Sequence, residues 1–244
     1  MPDDEKLSLY RCQLESTKAL PEYADMLTKI PAKISVSQLK KGLLDEEIFV
    51  RMKPELKKLP DFMLDKKEAD GAEKGSAAHI FMQFANYENI EKYGAEYEAD
   101  RLQKMGFITR RMRDIVNLDT ISRFIKSKLY LEVKNSKKQY RERRFNLRLP
   151  ANEFSEKQDA FPSDAFVLVQ GVSDLYFENS DGTLTIVDFK TDRVSPDNGE
   201  NTLLERHTNQ LIYYKRAIEE ITQKKVSRVY IYSFSLGKEI LLEI

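Results

Sequence analysis

Residues 171–192 read GVSDLYFENSDGTLTIVDFKTD. Alternating polar and apolar residues at 167–177 and an apolar run within 183–190 surround an Asn-Ser-Asp-Gly turn, and this pattern predicts two strands joined as a β-hairpin. The sequence YRERRFNLRL at 140–149 alternates in the same way. Three consecutive strands are therefore predicted in this part of the chain.

Helix and strand patterns continue after the hairpin. A helix is predicted at about 203–223, and VSRVYIYSF at 226–234 and EILLEI at 239–244 are strand candidates. In such an order a later strand returns beside the hairpin through a helical crossover. We therefore predict an α/β fold, with a mixed central sheet flanked by helices.

The N-terminal third has the pattern of a helical region. Ser35 and Ser37 are candidate N-caps for a helix that ends before Pro54. Further helices are predicted at about 73–87, 88–104 and 118–128. We divide the chain into an N-terminal helical extension or linker, 1–66, and a main domain, 67–244.

Two carboxylates are predicted to meet on the hairpin. Asp174 lies on its first strand, while Asp188 and Lys190, one residue apart on the second strand, point to the same face. A carboxylate that enters the core is costly without a cation, and two neighbouring carboxylates repel, so a divalent metal would resolve both problems. This chemistry suits phosphodiester hydrolysis, with Lys190 orienting the nucleophile or neutralising developing charge. An isolated Asp-x-Lys pair at an exposed strand end would instead be an ordinary salt bridge.

Composition excludes several classes of protein. The 244 residues contain one Cys, which cannot form an internal disulfide, a zinc cage or an iron–sulfur cluster. No signal peptide and no apolar stretch long enough to cross a membrane is found, so a cytoplasmic location without membrane contact is expected. No GxxxxGK[ST] loop is present, which leaves no nucleotide site of that kind.

The formal net charge of zero conceals two charged segments. Residues 61–100 contain ten acidic residues against four Lys, and residues 101–148 contain fifteen Lys and Arg against four acidic residues. A solvated helical face and a basic strand would explain such runs. We favour contact with a phosphate backbone, since a basic surface beside metal-binding carboxylates suits a nuclease.

The combined motifs resemble the RecB-like branch of the PD-(D/E)xK nucleases, and within it the nuclease domains of the AddA group of bacterial helicase/nuclease subunits. The likeness spans about residue 35 to the end. It is carried by Gly75-x-x-x-His79, Tyr140-Arg-Glu-Arg-Arg-Phe145, Asp174, Asp188-Phe189-Lys190, and Gln210-x-x-x-Tyr214, together with SVSQLK at 35–40 and PDFM at 60–63.

The resemblance implies a restriction-endonuclease-like core and a role for each matched residue. The implied metal ligands are His79, Asp174, Asp188 and the carbonyl oxygen of Phe189, and the implied catalytic residues are Asp174, Asp188, Lys190, Gln210 and Tyr214. It further implies Mg²⁺ as the ion, with Mn²⁺ able to substitute. Taken alone, His79 and Tyr214 would more often be packing residues, and His207 is expected at the surface with no role.

The resemblance also implies a biological setting. Single-stranded DNA ends from an unwound duplex would be the substrate in double-strand-break repair, an AddB-type subunit would be the partner, and the helicase part of the same subunit is absent from this chain. Cys12 lies outside the matched region, which excludes the four-cysteine iron–sulfur cluster of AddB-type nucleases. Two alternatives stay open: a non-catalytic DNA-binding or docking module with the nuclease fold, and a stand-alone RecB-like exonuclease.

Overall fold

The computed structural model describes residues 30–31, 33–39, 69–157 and 160–244. These residues form two compact units: the first contains the described residues up to 39 together with 147–169, and the second contains 69–146 and 170–244. The predicted boundary at 66 lies outside the described residues and stays a prediction.

The described residues contain one sheet of six strands. The strands are β1 (Ile34–Ser35), β2 (Gln139–Pro150), β3 (Phe166–Glu178), β4 (Leu184–Lys190), β5 (Val226–Ser233) and β6 (Lys238–Leu242). The order across the sheet is β1-β3-β4-β5-β6, and β2 also pairs with β3. All of the strands predicted from 140 onward are therefore present.

Seven α-helices surround this sheet in the described residues. They are α1 (Gly71–Phe84), α2 (Tyr87–Tyr93), α3 (Ala95–Lys104), α4 (Arg110–Ile115), α5 (Leu118–Ile125), α6 (Lys128–Asn135) and α7 (Gly199–Thr222). The single helix predicted at 88–104 is two helices, because Gly94 between them has φ +91°, which ends one helix before the next begins. The sequence analysis did not predict α4 or α6.

The predicted hairpin and crossover are confirmed. β3 pairs antiparallel with β4, with Leu175 opposite Val187, and the turn between them contains Gly182 at φ +85°. β4 pairs parallel with β5, with Asp188 beside Ile231, and α7 forms the connection between these two strands. β6 pairs antiparallel with β5. The fold is thus a mixed sheet flanked by helices, as predicted.

Alternation along β4 assigns its residues to two environments. Val187 and Phe189 belong to the hydrophobic core that the sheet forms with α1–α6, where the Phe189 ring packs edge-on against Phe124 at a centroid distance of 5.2 Å. Asp188 and Lys190 point to the opposite face because successive side chains of a strand alternate. The buried aromatic layer on one face therefore fixes the direction of the charged pair on the other.

The N-terminal prediction is only partly covered by the described residues. Ser35 ends β1 and precedes a 3-10 helix at Val36–Gln38, so Ser37 lies inside this short turn and does not cap the predicted helix. The rest of the predicted helix lies outside the described residues. In the first unit, Asn152 bonds both backbone groups of Phe161 and thereby closes the loop that follows β2.

The two charged segments of the sequence pair with each other in the fold. Acidic residues from 61–100 accept from basic residues of 101–148 in the pairs Glu73–Arg111, Glu96–Arg113, Asp100–Arg113, Glu98–Arg101 and Glu91–Lys134. Much of the charge separation seen along the sequence is thus neutralised between α1, α2, α3, α4 and α6. The exposed Arg143 and Arg144 of β2 have no such partner among the described residues.

Candidate active site

One cleft of the second unit, of about 580 Å³, collects the predicted side chains. It is lined by His79, Glu142, Asp174, Asp188, Lys190, Gln210 and Tyr214, among others. All six side chains that the sequence analysis selected are in this set. They come from α1, β3, β4 and α7, and Glu142 of β2 is an addition.

Asp174 connects the hairpin to α1. Its Oδ1 lies 3.4 Å from Nδ1 of His79, and its Oδ2 accepts a hydrogen bond of 2.8 Å from the backbone N–H of Phe189. Burial alone lowers the pKa of His79, but the hydrogen bond and the charge of Asp174 outweigh burial and raise it. The carboxylate is therefore held from both sides, by a histidine and by the neighbouring strand.

Asp188 and Lys190 form a buried ion pair. Lys190 Nζ lies 2.8 Å from Oδ2 of Asp188, and the two side chains are 13% and 2% exposed. Burial raises the pKa of Asp188 to about 6, although the Lys190 charge opposes the shift. Burial alone lowers the pKa of Lys190, and the charge of Asp188 reverses that effect, so that the pKa is raised. Each charge is thus tolerated in the core because the other is present.

A chain of contacts continues from Lys190 to α7. Lys190 Nζ donates to Oε1 of Gln210 over 3.4 Å, and Nε2 of Gln210 donates to the hydroxyl of Tyr214 over 2.6 Å. The Tyr214 ring packs edge-on against Phe145 at 5.4 Å, and burial raises its pKa. Gln210 and Tyr214, one helical turn apart, therefore hold the lysine from the helix side.

Glu142 is the cleft residue that the sequence analysis missed. It has φ +48°, an uncommon backbone conformation for a residue other than glycine. The exposed and buried alternation of β2 is regular from Arg144 to Pro150 and breaks at this residue. Burial and then the charge of Asp174 raise the pKa of Glu142. Its position between Arg141 and Arg143 was the available signal, a lone acid in a basic strand.

The donor atoms in the cleft fit a divalent cation. Ligand atoms of His79, Glu142 and Asp174 lie within 4.8 Å of one another, and carboxylate oxygens with an imidazole nitrogen suit a borderline or hard divalent ion. Asp188 is outside this group of three, but its Oδ2 is buried without a hydrogen-bond donor in good geometry, since Lys190 contacts it as an ion pair. The structure therefore groups two of the four predicted ligands directly.

Two further contacts shape the rim of the cleft. A Cβ on Gly75 would lie 2.8 Å from Oγ1 of Thr191, so the helix passes the strand end closely enough to require glycine. His207 is only 17% exposed and faces Asp192 at 3.6 Å. The expectation that His207 is a surface residue is therefore wrong, because the loop after β4 folds back onto α7.

Comparison with known families gives the class of protein. Residues 51–240 match the PD-(D/E)XK nuclease superfamily, which is most of the chain. The chain belongs to this superfamily, and its mixed sheet with an acidic, lysine-containing cleft is consistent with that membership. Nucleases of the superfamily generally use divalent metals, in agreement with the donor set of the cleft.

More specific similarity is found to curated proteins whose names identify them as the AddA-type component of an ATP-dependent helicase/nuclease. The chain is 38% identical over 219 residues to the protein of Acetivibrio thermocellus, 34% over 227 residues to that of Clostridium botulinum, and 28% over 243 residues to that of Clostridium acetobutylicum. These alignments cover 86%, 90% and 97% of this chain but only 17%, 17% and 19% of the relatives. The predicted likeness to AddA-type proteins is confirmed, and the chain corresponds to a small part of their length.

No helix among the described residues is long and apolar enough to span a bilayer.

Proposed function

We propose that this chain is a Mg²⁺-dependent deoxyribonuclease domain that hydrolyses phosphodiester bonds of single-stranded DNA. The main support is the convergence of the Asp174–His79 contact and the Asp188–Lys190 ion pair in a single cleft. Two charged pairs directed into one opening match the needs of an anionic phosphodiester, which requires both cation binding and a positioned lysine.

In the proposed mechanism His79, Asp174, Asp188 and the carbonyl oxygen of Phe189 hold the ion, and Glu142 joins them. A divalent ion bound there polarises the phosphate and lowers the pKa of a bound water. Lys190 contacts the attacking water or the developing negative charge, and Gln210 fixes the position of its ammonium group.

The single-stranded substrate and the setting are proposed from the relatives. A domain that lies in an ATP-dependent helicase/nuclease would receive strands that the helicase has separated. We therefore place this chain in an AddAB-type complex for double-strand-break repair, with an AddB-type partner and a cytoplasmic location.

The test is cleavage of end-labelled single-stranded and duplex DNA by the purified chain with Mg²⁺, Mn²⁺ or EDTA. We expect ion-dependent cleavage of the single strand and none with Asp188→Asn. Asp181→Asn is the matched control, because Asp181 lies in the turn at the far end of the hairpin. Cleavage that persists in Asp188→Asn, or in EDTA, would refute the mechanism, and a folded chain that binds DNA without cleaving it would support a docking module instead.

A further inference from the structure

A second cavity, of about 560 Å³, lies next to the candidate active site. Its apolar wall comes from Ala72, Ala78, Ile115 and Phe234, and its polar groups include Asn117 and Thr120. A volume of this size with mainly apolar walls and a few polar groups is typical of small-molecule sites, and it can receive a nucleoside. None of the residues assigned to the reaction lines this cavity.

The cavity and the active-site cleft share one wall. Gly75 lines both openings, and its missing side chain leaves α1 against Thr191. Thr191 follows Lys190 directly in the chain and lines the second cavity. A strand whose phosphate lies at Lys190 could therefore cross the Gly75–Thr191 contact and place its next nucleotide in the cavity.

Two uncompensated cations line the same cavity. Lys74 and Arg193 are exposed, and neither pairs with a carboxylate among the described residues. The acid of this wall, Asp192, is engaged by Arg206 at 3.5 Å and by His207 at 3.6 Å. The rim therefore carries positive charge that suits DNA phosphates, while the apolar interior suits a base.

We propose that this cavity is a subsite for the nucleotide adjacent to the scissile phosphate, with Lys74 and Arg193 contacting its phosphates and the base between Ala72 and Phe234. This inference rests on the proposed function, because it assumes that the neighbouring cleft holds a DNA phosphate. It adds a second contact point, which sets the path of the strand away from the reacting bond.

Binding is tested without cleavage, by fluorescence anisotropy of a labelled oligothymidylate in EDTA. Arg193→Ala should weaken binding about 5- to 10-fold and reduce the salt dependence by about one phosphate contact. Ala72→Trp fills the cavity from an exposed position in the first turn of α1 and should weaken binding without changing the salt dependence. Lys225→Ala is the control, since this exposed lysine precedes β5 at the opposite end of the sheet from Lys190.

Hydrolysis separates this inference from the proposed function. Both variants should lose activity on the oligonucleotide and keep wild-type activity on bis(p-nitrophenyl) phosphate with Mn²⁺, because that substrate has no second nucleotide. Unchanged oligonucleotide binding in both Arg193→Ala and Ala72→Trp would overturn the subsite. A wild-type chain that cleaves neither substrate, although the variants weaken binding as expected, would contradict the proposed function alone.

Discussion

Replacing Lys190 by methionine should expose how strongly the buried ion pair controls stability. Asp188 is 2% exposed and lies 2.8 Å from the ammonium group, a separation that corresponds to roughly 6 kcal/mol of attraction at an effective dielectric constant of about 20. Even with that attraction the pKa of Asp188 stands at about 6 instead of 3.8, so its ionisation in the folded state costs about 3 kcal/mol.

Lys190→Met leaves this carboxylate buried and unpaired. We expect the free energy of unfolding at about pH 8 to fall by about 3–5 kcal/mol in EDTA. A raised folded pKa means that stability is lost as pH rises through it, and removing Lys190 raises that pKa further. The cost of the substitution should therefore shrink as the pH is lowered below about 6, where Asp188 binds a proton in both proteins.

The assay is urea unfolding of the metal-free protein at about pH 8 and pH 5.5. The double variant Lys190→Met/Asp188→Asn removes both charges and should be more stable at pH 8 than Lys190→Met alone. Lys225→Met serves as the control for the loss of an exposed lysine. A cost that does not depend on pH, or a double variant with strictly additive losses, would refute the argument that the two charges hold each other in the core.

Three other substitutions test the geometry of the cleft. Glu142→Gln should weaken Mn²⁺ binding at least about tenfold in calorimetric titration, because one anionic ligand is lost, and unchanged affinity would remove it from the metal site. Gly75→Ala should reduce cleavage about 10- to 100-fold by displacing Thr191, and adding Thr191→Ala should restore most of the rate, since it removes the clashing oxygen. Tyr214→Phe removes the hydroxyl that holds Gln210; we expect about tenfold slower cleavage with a stability change of about 1 kcal/mol, and a wild-type rate would argue against positioning through this contact.

The site was largely predictable because its residues lie on regular elements. Asp188 and Lys190 share a face through strand alternation, and Gln210 and Tyr214 share a face through the helical repeat. Asp174 lies on the hairpin partner of the same strand. Local periodicity thus decides which side chains can act together, and this information is present in the sequence itself.

Glu142 was not predictable by the same reasoning. Strand alternation applies only while the backbone stays extended, and the left-handed conformation at this residue breaks it. The charge layout shows a similar limit, because pairs such as Glu73–Arg111 and Glu91–Lys134 join residues 38 and 43 positions apart. Such neutralisation depends on how the helices pack and is invisible in a count along the chain.

The sequence alone determined the hairpin, the helical crossover, the nuclease class and the residues that contribute charge to the cleft, because each follows from local pattern or a matched motif. Only the tertiary structure decided that Lys190 is paired within the core, that Glu142 completes the group with His79 and Asp174, and that a second cavity opens across Gly75. These features depend on distances between elements far apart in the chain, and such distances are set by core packing.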